Sequence, residues 1–282
     1  MSPVTRPLLR YYGGKWRIAE QIIARFPAHD VYVEPYGGGG SVLLRKAPAA
    51  TEVYNDLDSQ VFNVFRQMRD AGETMARLLS LTPFSREEFE HAYEPSACPV
   101  ESARRFIFRA AAGIGSDSAF RPAGFRVSLC DGKHNTAKSW ANRAEAWKAI
   151  SARLAGVILE HRPAVEVMRS HDRKNALHYV DPPYVFSSRK QKGHGYAHEM
   201  TDADHAALAE CLRSLRGYVI LSGYCTPIYR RLYKGWRRVD IAARDGANNA
   251  RKEVLWINPA TPEVLPDVEL FPTAYDHEED AA

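Results

Sequence analysis

Apolar residues recur along this chain at two periods. Residues 30–34 (DVYVE) alternate toward a short strand, a Pro- and Gly-rich turn follows at 35–40, and residues 41–46 (SVLLRK) can open a helix. A second short strand is expected at 52–54, ending on Asn55-Asp56, and residues 57–69 then place Val61, Phe62, Val64, Phe65 and Met68 at helical spacing. Two successive strand-helix units predict a parallel, doubly wound sheet.

The middle of the chain changes character. Residues 83–109 read as helices, and residues 110–139 are rich in Gly, Ser, Asp and Asn with basic residues interleaved. Strand-like runs resume at 157–160, 178–180, 218–222 and 253–257. Between them, residues 201–215 (TDADHAALAECLRSL) form a helix that starts on a Thr or Asp cap and keeps Ala206, Leu208, Leu212 and Leu215 for one face. The expected fold is therefore α/β, a Rossmann-like doubly wound sheet carrying an inserted, mainly helical domain. Residues 1–65 and 154–260 would form the sheet domain, 66–153 the insert, and 261–282, where Pro and acids dominate, a flexible tail.

Composition narrows the class. Apolar residues make up 45% of the 282 and aromatics 11%, enough for a buried core and too much for a disordered chain. No run approaches the roughly 18 apolar residues of a membrane span, and residues 1–10 lack the apolar stretch of a signal peptide, so a soluble cytoplasmic protein is expected. Cys98, Cys130, Cys211 and Cys225 show no CxxC pairing; they read as free thiols, with no metal site expected. Residues 261–282 hold seven acids and no Lys or Arg, which leaves residues 1–260 at +11 against +4 for the whole chain. A basic body suits a polyanionic partner, although a solvated surface of mixed sign accounts for the charge equally well.

Three features carry chemistry. Gly37, Gly38, Gly39 and Gly40 between a strand and a helix let a ligand approach the backbone closely, a feature shared by nucleotide-binding turns and by merely mobile ones. Asp56, at the end of the next strand, can accept hydrogen bonds from both ribose hydroxyls of a nucleoside over that turn, or it can cap the following helix; Asp58 is available for the cap. Nothing matches GxxxxGK[ST], so the ligand read from these residues is an adenosine without a triphosphate.

Asp181-Pro182-Pro183-Tyr184, directly after Tyr179-Val180, is the most specific of the three. An exocyclic amine on adenine or cytosine is a poor nucleophile because its lone pair is delocalised into the ring. The Asp181 carboxylate can accept one of its N–H groups and the Pro182 carbonyl the other, which localises the lone pair toward a methyl donor. Two prolines fix the backbone before substrate arrives. Tyr184 can stack on a base that has left the helix. The bland account is a Pro-rich strand exit with Asp181 as a loop acid.

Together these residues resemble the DNA adenine methylase (Dam) family, the alpha-group amino-methyltransferases. Tyr11-Tyr12-Gly13-Gly14-Lys15 is similar to that family's N-terminal [WY]-x-G-G-K segment, which implies cofactor roles for Tyr12, Gly14 and Lys15. Glu34-Pro35-Tyr36-Gly37-Gly38-Gly39-Gly40-Ser41 resembles the EPFxGxGS loop, Asn55-Asp56 the ribose-binding acid, and Arg251-Lys252-Glu253-Val254-Leu255-Trp256 a basic-acidic-strand motif near the C-terminal end. The resemblance implies a methyltransferase fold, S-adenosylmethionine as cofactor, held in part by Asp181, and methylation of N6 on a flipped adenine in double-stranded DNA. It suggests a restriction-modification, phage or chromosomal setting. It departs at Glu160-His161-Arg162-Pro163, where Pro163 stands in place of an acid that contacts the cofactor's adenine.

Residues 101–153 hold ten Lys or Arg against four acids, a plausible phosphate footprint. Within and beyond it, Arg109, Arg121, Arg126, Lys133, His134, Asn135, Lys138, Arg189, Lys190, Arg251 and Lys252 are the candidate DNA contacts, each of which could instead lie on a solvated face. A nicotinamide dehydrogenase would have no use for the Asp181 corner. A C5-cytosine methyltransferase needs a Cys nucleophile, usually after Pro, and no Cys here follows Pro. An RNA or cytosine-N4 methyltransferase with the same corner, or a silent DNA-binding relative, stays open on the residues alone.

Overall fold

Residues 176–180 (ALHYV) form a strand in which every side chain is buried, the mark of a central strand covered on both faces. The computed structural model describes residues 3–127, 135–185, 198–244 and 250–264. In chain order the helices are α1 (Ala19–Ile23), α2 (Ser41–Arg45), α3 (Ser59–Asp70), α4 (Gly72–Leu81), α5 (Arg86–His91), α6 (Pro99–Ala112), α7 (Thr136–Ala141), α8 (Ala144–Leu154), α9 (Ala164–His171), α10 (Asp202–Ser214) and α11 (Pro227–Leu232). The strands are β1 (Val31–Glu34), β2 (Thr51–Asn55), β3 (Val157–Glu160), β4 (Ala176–Val180), β5 (Tyr218–Gly223), β6 (Arg237–Arg244) and β7 (Ala250–Ile257). They make one seven-stranded sheet in the order β3-β2-β1-β4-β5-β7-β6.

The parallel part matches the expected Rossmann-like sheet: β1 pairs with β4 and β4 with β5, both parallel, with Val33 opposite His178 and Val180 opposite Leu221. The last two strands depart from the expectation. Strand β7 runs antiparallel to β5, and β6, which the apolar pattern did not predict, runs antiparallel to β7 along its full length. Its sequence, RRVDIAAR, has only Val239 and Ile241 as strong strand formers, and an edge strand can be charged because its pairing comes from its neighbour.

Contact density divides the chain into two units. The first comprises Met1–Gly14, Gly37–Arg45 and Tyr54–His161. It contains α2 to α8, and all the helices of the expected 66–153 insert fall within it. Fully buried Phe65, Phe106, Phe108 and Trp147 contribute its core. Helix α3 is started by Asp58, whose side chain accepts from Gln60 N and Val61 N, and its buried face is Val61, Val64, Phe65 and Met68.

The second unit comprises Lys15–Tyr36, Lys46–Val53 and Arg162–Ala282. Helix α10 opens with a capping box between Thr201 and Asp204 and packs Leu208, Ala209, Cys211 and Leu212 against Val180, Val219, Leu221 and Trp256. Its buried face also takes His205, while Ala206 is only half-buried. Thr261, expected to begin a loose tail, is instead buried, with its hydroxyl accepting from Val219 N. Cys98 and Cys225 are exposed free thiols and Cys211 a buried one; Cys130 lies outside the described residues.

Candidate active site

In the first unit the glycine turn is held by its own backbone and by Tyr54. Gly37 N donates to Asn55 O (2.8 Å), Gly40 N to Gly37 O (2.8 Å), and the Tyr54 hydroxyl to Gly38 O (2.7 Å). Three positions have no room for a side chain, Gly38 among them, where φ is +49° and a Cβ would stand 2.8 Å from the Tyr11 ring. A Cβ on Gly37 would stand 2.1 Å from the Tyr54 ring, and one on Gly40, whose φ is +61°, would stand 2.7 Å from Phe65. Tyr54 and Phe65 stack with centroids 3.9 Å apart, so the glycines let the turn lie against an aromatic pair. Ser41 is buried as the first residue of α2.

Asp56 is tied to this turn. Its Oδ2 accepts from Gly38 N (2.7 Å) and its Oδ1 from Asp58 N (2.8 Å), while Asp58 caps α3. His161 Nδ1 lies 2.8 Å from Asp56 O, and the His161 ring stacks on Phe62 at 4.8 Å. Tyr12 is half-buried, and Gly14 N donates to Tyr11 O (3.0 Å) in a turn. The Tyr11 side chain borders the glycines: a Cβ on Gly39 would be 3.2 Å from Tyr11 Cβ.

In the second unit Asp181 follows β4, level with the carboxyl end of the parallel β5. The Lys15 ammonium donates to its Oδ2 at 2.7 Å and lies 4.0 Å from Glu253 Oε1. Asp181 Oδ1 is buried with no hydrogen-bond partner among the described residues. Burial alone disfavours the Lys15 ammonium, but Asp181 and Glu253 more than offset it, and its pKa ends above the ordinary lysine value.

Pro182 is buried and Pro183 half-buried, and Tyr184 is buried with its hydroxyl donating to Glu253 Oε1. Lys15 sits 4.9 Å from the centre of the Tyr184 ring, and Tyr224 meets that ring nearly edge-on at 4.7 Å. Burial first, then the negative charges of Asp181 and Glu253, hold the Tyr184 phenol far above its usual pKa, so it stays a donor. Upstream in the same unit, Glu34 is buried and accepts from the Tyr32 hydroxyl (2.7 Å), Pro35 is buried, and Tyr36 packs against the core.

The expected DNA contacts differ in exposure and in partners. Arg109 is half-buried, donating to Gln60 Oε1 (3.2 Å) with its guanidinium over Tyr93 (5.2 Å), and burial lowers its pKa. Asn135 caps α7, accepting from Lys138 N (2.9 Å). Arg121, Lys138 and Lys252 are exposed and Arg126 is half-buried. Lys133, His134, Arg189, Lys190 and the Arg251 side chain lie outside the described residues.

Sequence reasoning gave no role to Tyr11, Tyr54, Tyr224 or Glu253. Tyr11 and Glu253 stood inside motifs that were recognised. Tyr54 precedes Asn55-Asp56, but nothing in a sequence says that its hydroxyl returns to Gly38.

A mostly parallel seven-stranded sheet with an Asp-Pro-Pro-Tyr exit from its central strand defines a Rossmann-like methyltransferase. The sequence profile of the D12 class N6 adenine-specific DNA methyltransferases matches residues 11–109 and 121–245, and the chain belongs to that family. It is 25% identical over 275 residues to the Type II methyltransferase M1.LlaDCHI of Lactococcus lactis subsp. cremoris, covering 88% of this chain and 92% of that one. It is 26% identical over 247 residues to a DNA adenine methylase of Serratia marcescens, covering 81% and 87%. This is therefore an adenine-specific DNA methyltransferase. Among the described residues no helix is long and apolar enough to cross a membrane, and no cluster of three or more His, Cys, Asp or Glu could hold a metal ion.

Proposed function

We propose that the chain transfers a methyl group from S-adenosylmethionine to N6 of an adenine flipped out of double-stranded DNA. The observation that carries this reading is the division of labour on Asp181: Lys15 occupies Oδ2, and the buried Oδ1 has no donor among the described residues. A buried acceptor of that kind costs free energy unless a ligand supplies the N–H. The adenine amino group has one for Asp181 and one for the Pro182 carbonyl. Accepting both draws the lone pair out of the ring, and the acceptors need no rearrangement because the prolines hold them.

The cofactor would be held by Tyr12, Gly14 and Lys15, by residues 34–41 and by Asp56. The acceptor set fits: Asp56 is fastened to the glycine turn through Gly38 N and Asp58 N, and a carboxylate oxygen can accept more than one hydrogen bond, as contact with ribose hydroxyls requires. When bound, S-adenosylmethionine supplies the electrophilic methyl on a sulfonium. Tyr184 is assigned to stacking on the extruded base, with Glu253, Lys15 and Tyr224 setting the orientation of its ring. The bacterial relatives support a setting in the cytoplasm of a bacterial or phage-infected cell, and the Type II name of one supports a restriction-modification role.

The test is tritium transfer from labelled S-adenosylmethionine to DNA and, separately, to RNA, with Asp181→Ala as control. Label on N6 of DNA adenine, lost in the variant, is the expected result. Label on RNA or on cytosine would replace the reading.

A further inference from the structure

The longest stretch of the chain without an acid lies outside every segment assigned to DNA above. Residues 212–239 contain seven Arg or Lys and no Asp or Glu. The fold sorts them. Tyr229 and Tyr233 are buried, and Ile228, Leu232 and Trp236 pack against the same core, whereas Pro227, Arg230, Arg231 and Lys234 are exposed. Positions 227, 230, 231 and 234 follow the i, i+3, i+4, i+7 rule, so the solvent stripe of α11 and the turn after it is basic apart from its proline.

Neutralisation within the protein is unequal. Arg237 pairs with Glu263 (3.3 Å) and Arg238 with Asp240 (3.2 Å). Arg230, Arg231 and Lys234 have no ion-pair partner among the described residues. The Arg213 guanidinium, reaching from α10, donates to Leu232 O and adds a fourth cation at the same helix end. Glu210, one turn before Arg213, is the acid nearest to it along α10. From Arg230 to Lys234 the rise is about 6 Å, which concentrates three unpaired charges on one narrow strip.

The strip is tied to the corner. Helix α11 begins three residues after Tyr224, the ring that meets Tyr184 edge-on. Its heads are cations on long stems that can reach evenly spaced phosphates, the groups that take half or more of protein–DNA hydrogen bonds.

We propose that Arg230, Arg231 and Lys234 form a binding surface for the phosphodiester backbone of duplex DNA, independent of base sequence. This rests on the DNA substrate that family membership gives, and not on the roles proposed for Asp181 and Tyr184. Contacts of this kind release counterions, about 0.9 per neutralised phosphate, so binding weakens with salt in proportion to their number.

The experiment is fluorescence anisotropy of the full chain on a short duplex of G·C pairs only, which contains no adenine to methylate, across a salt series. For R230Q/R231Q/K234Q the slope of log K against log salt is expected to be shallower by about 2 to 3, with affinity weaker by about tenfold or more at low salt. R230K/R231K should keep the wild-type slope. Should the triple variant fold poorly, R231Q and K234Q taken singly are each expected to lower the slope by about 1. An unchanged slope overturns the proposal, as does an equal loss in the lysine variant. So does tighter binding by the neutral variant, the result expected if the strip serves the acidic residues near the C-terminus.

Discussion

The Lys15 ammonium lies 2.7 Å from Asp181 Oδ2, a pairing between residues 166 positions apart. Both side chains are largely withdrawn from water, with 6% and 17% of their surfaces exposed, so the interaction is weakly screened. It decides which Asp181 oxygen is engaged and which is left to accept. Glu253, 4.0 Å from the same ammonium, extends the relation to Tyr184 through the phenol it accepts.

For Asp181→Ala we expect methyl transfer to fall by at least about a hundredfold, the order seen when one preorganised electrostatic contact at a reacting group is removed. Cofactor affinity measured by calorimetry should change much less. Near-normal turnover in single-turnover assays would remove Asp181 from the chemistry.

For Lys15→Met the expected effect is first on folding. Two buried carboxylates would lose their shared cation, and breaking a buried pair from one side costs about 3 to 5 kcal/mol. A melting temperature equal to wild type would show that the ammonium does not hold Asp181 and Glu253 in solution.

Glu253 is expected to act on Tyr184 as a positioning residue. Glu253→Gln keeps an acceptor for the phenol, and Glu253→Ala does not. Turnover should therefore follow the order wild type, Gln, Ala, with KM for DNA moving less than kcat. In combination with Tyr184→Phe, which removes the donor, the Ala change should add little. Full additivity in that double-mutant cycle would mean the two side chains act separately.

For Asp56→Ala, cofactor affinity should weaken by more than DNA affinity does. The same change removes the acceptor for Gly38 N, so glycine-turn amide exchange should rise in parallel. An unchanged cofactor constant in calorimetry counts against the ribose role.

Acid sensitivity should trace to Glu101. Hydrogen bonds from Arg104, at 2.7 and 2.6 Å, together with Arg105, outweigh partial burial and lower its pKa from 4.5 to about 2. A depressed folded-state pKa contributes stability that is present above pH 4.5 and is lost as pH falls from there toward about 2. In denaturant melts over that range Glu101→Gln should lose less stability than wild type. Parallel pH curves would assign the acid transition elsewhere.

Much of the fold was readable because periodicity reports burial directly. Val61, Val64, Phe65 and Met68 recur at helical spacing and all are buried on α3, and the strand expected at 178–180 is buried, as part of a strand that the structure extends back to Ala176. Strand β6 was not readable, since Arg237, Arg238, Asp240 and its alanines carry little strand preference and its pairing is supplied by β7. Arg109 shows the converse. As a basic residue in a basic stretch it suggested a phosphate contact, yet it lies half-buried over Tyr93 and Phe106.

By itself the sequence determined what is local: the strand-turn-helix order around Gly37–Gly40, the rigid Asp-Pro-Pro-Tyr exit, the caps at Asp58 and Thr201, and the family to which these motifs belong. Only the tertiary structure decided that Lys15 meets Asp181, that Tyr54 closes on Gly38, and that Glu253 receives the Tyr184 phenol. The reason is physical. Motifs and caps follow from the backbone preferences of neighbouring residues, whereas a buried charge takes whatever counter-charge the packed strands bring within reach, and that choice is made only when distant segments share a low-dielectric interior.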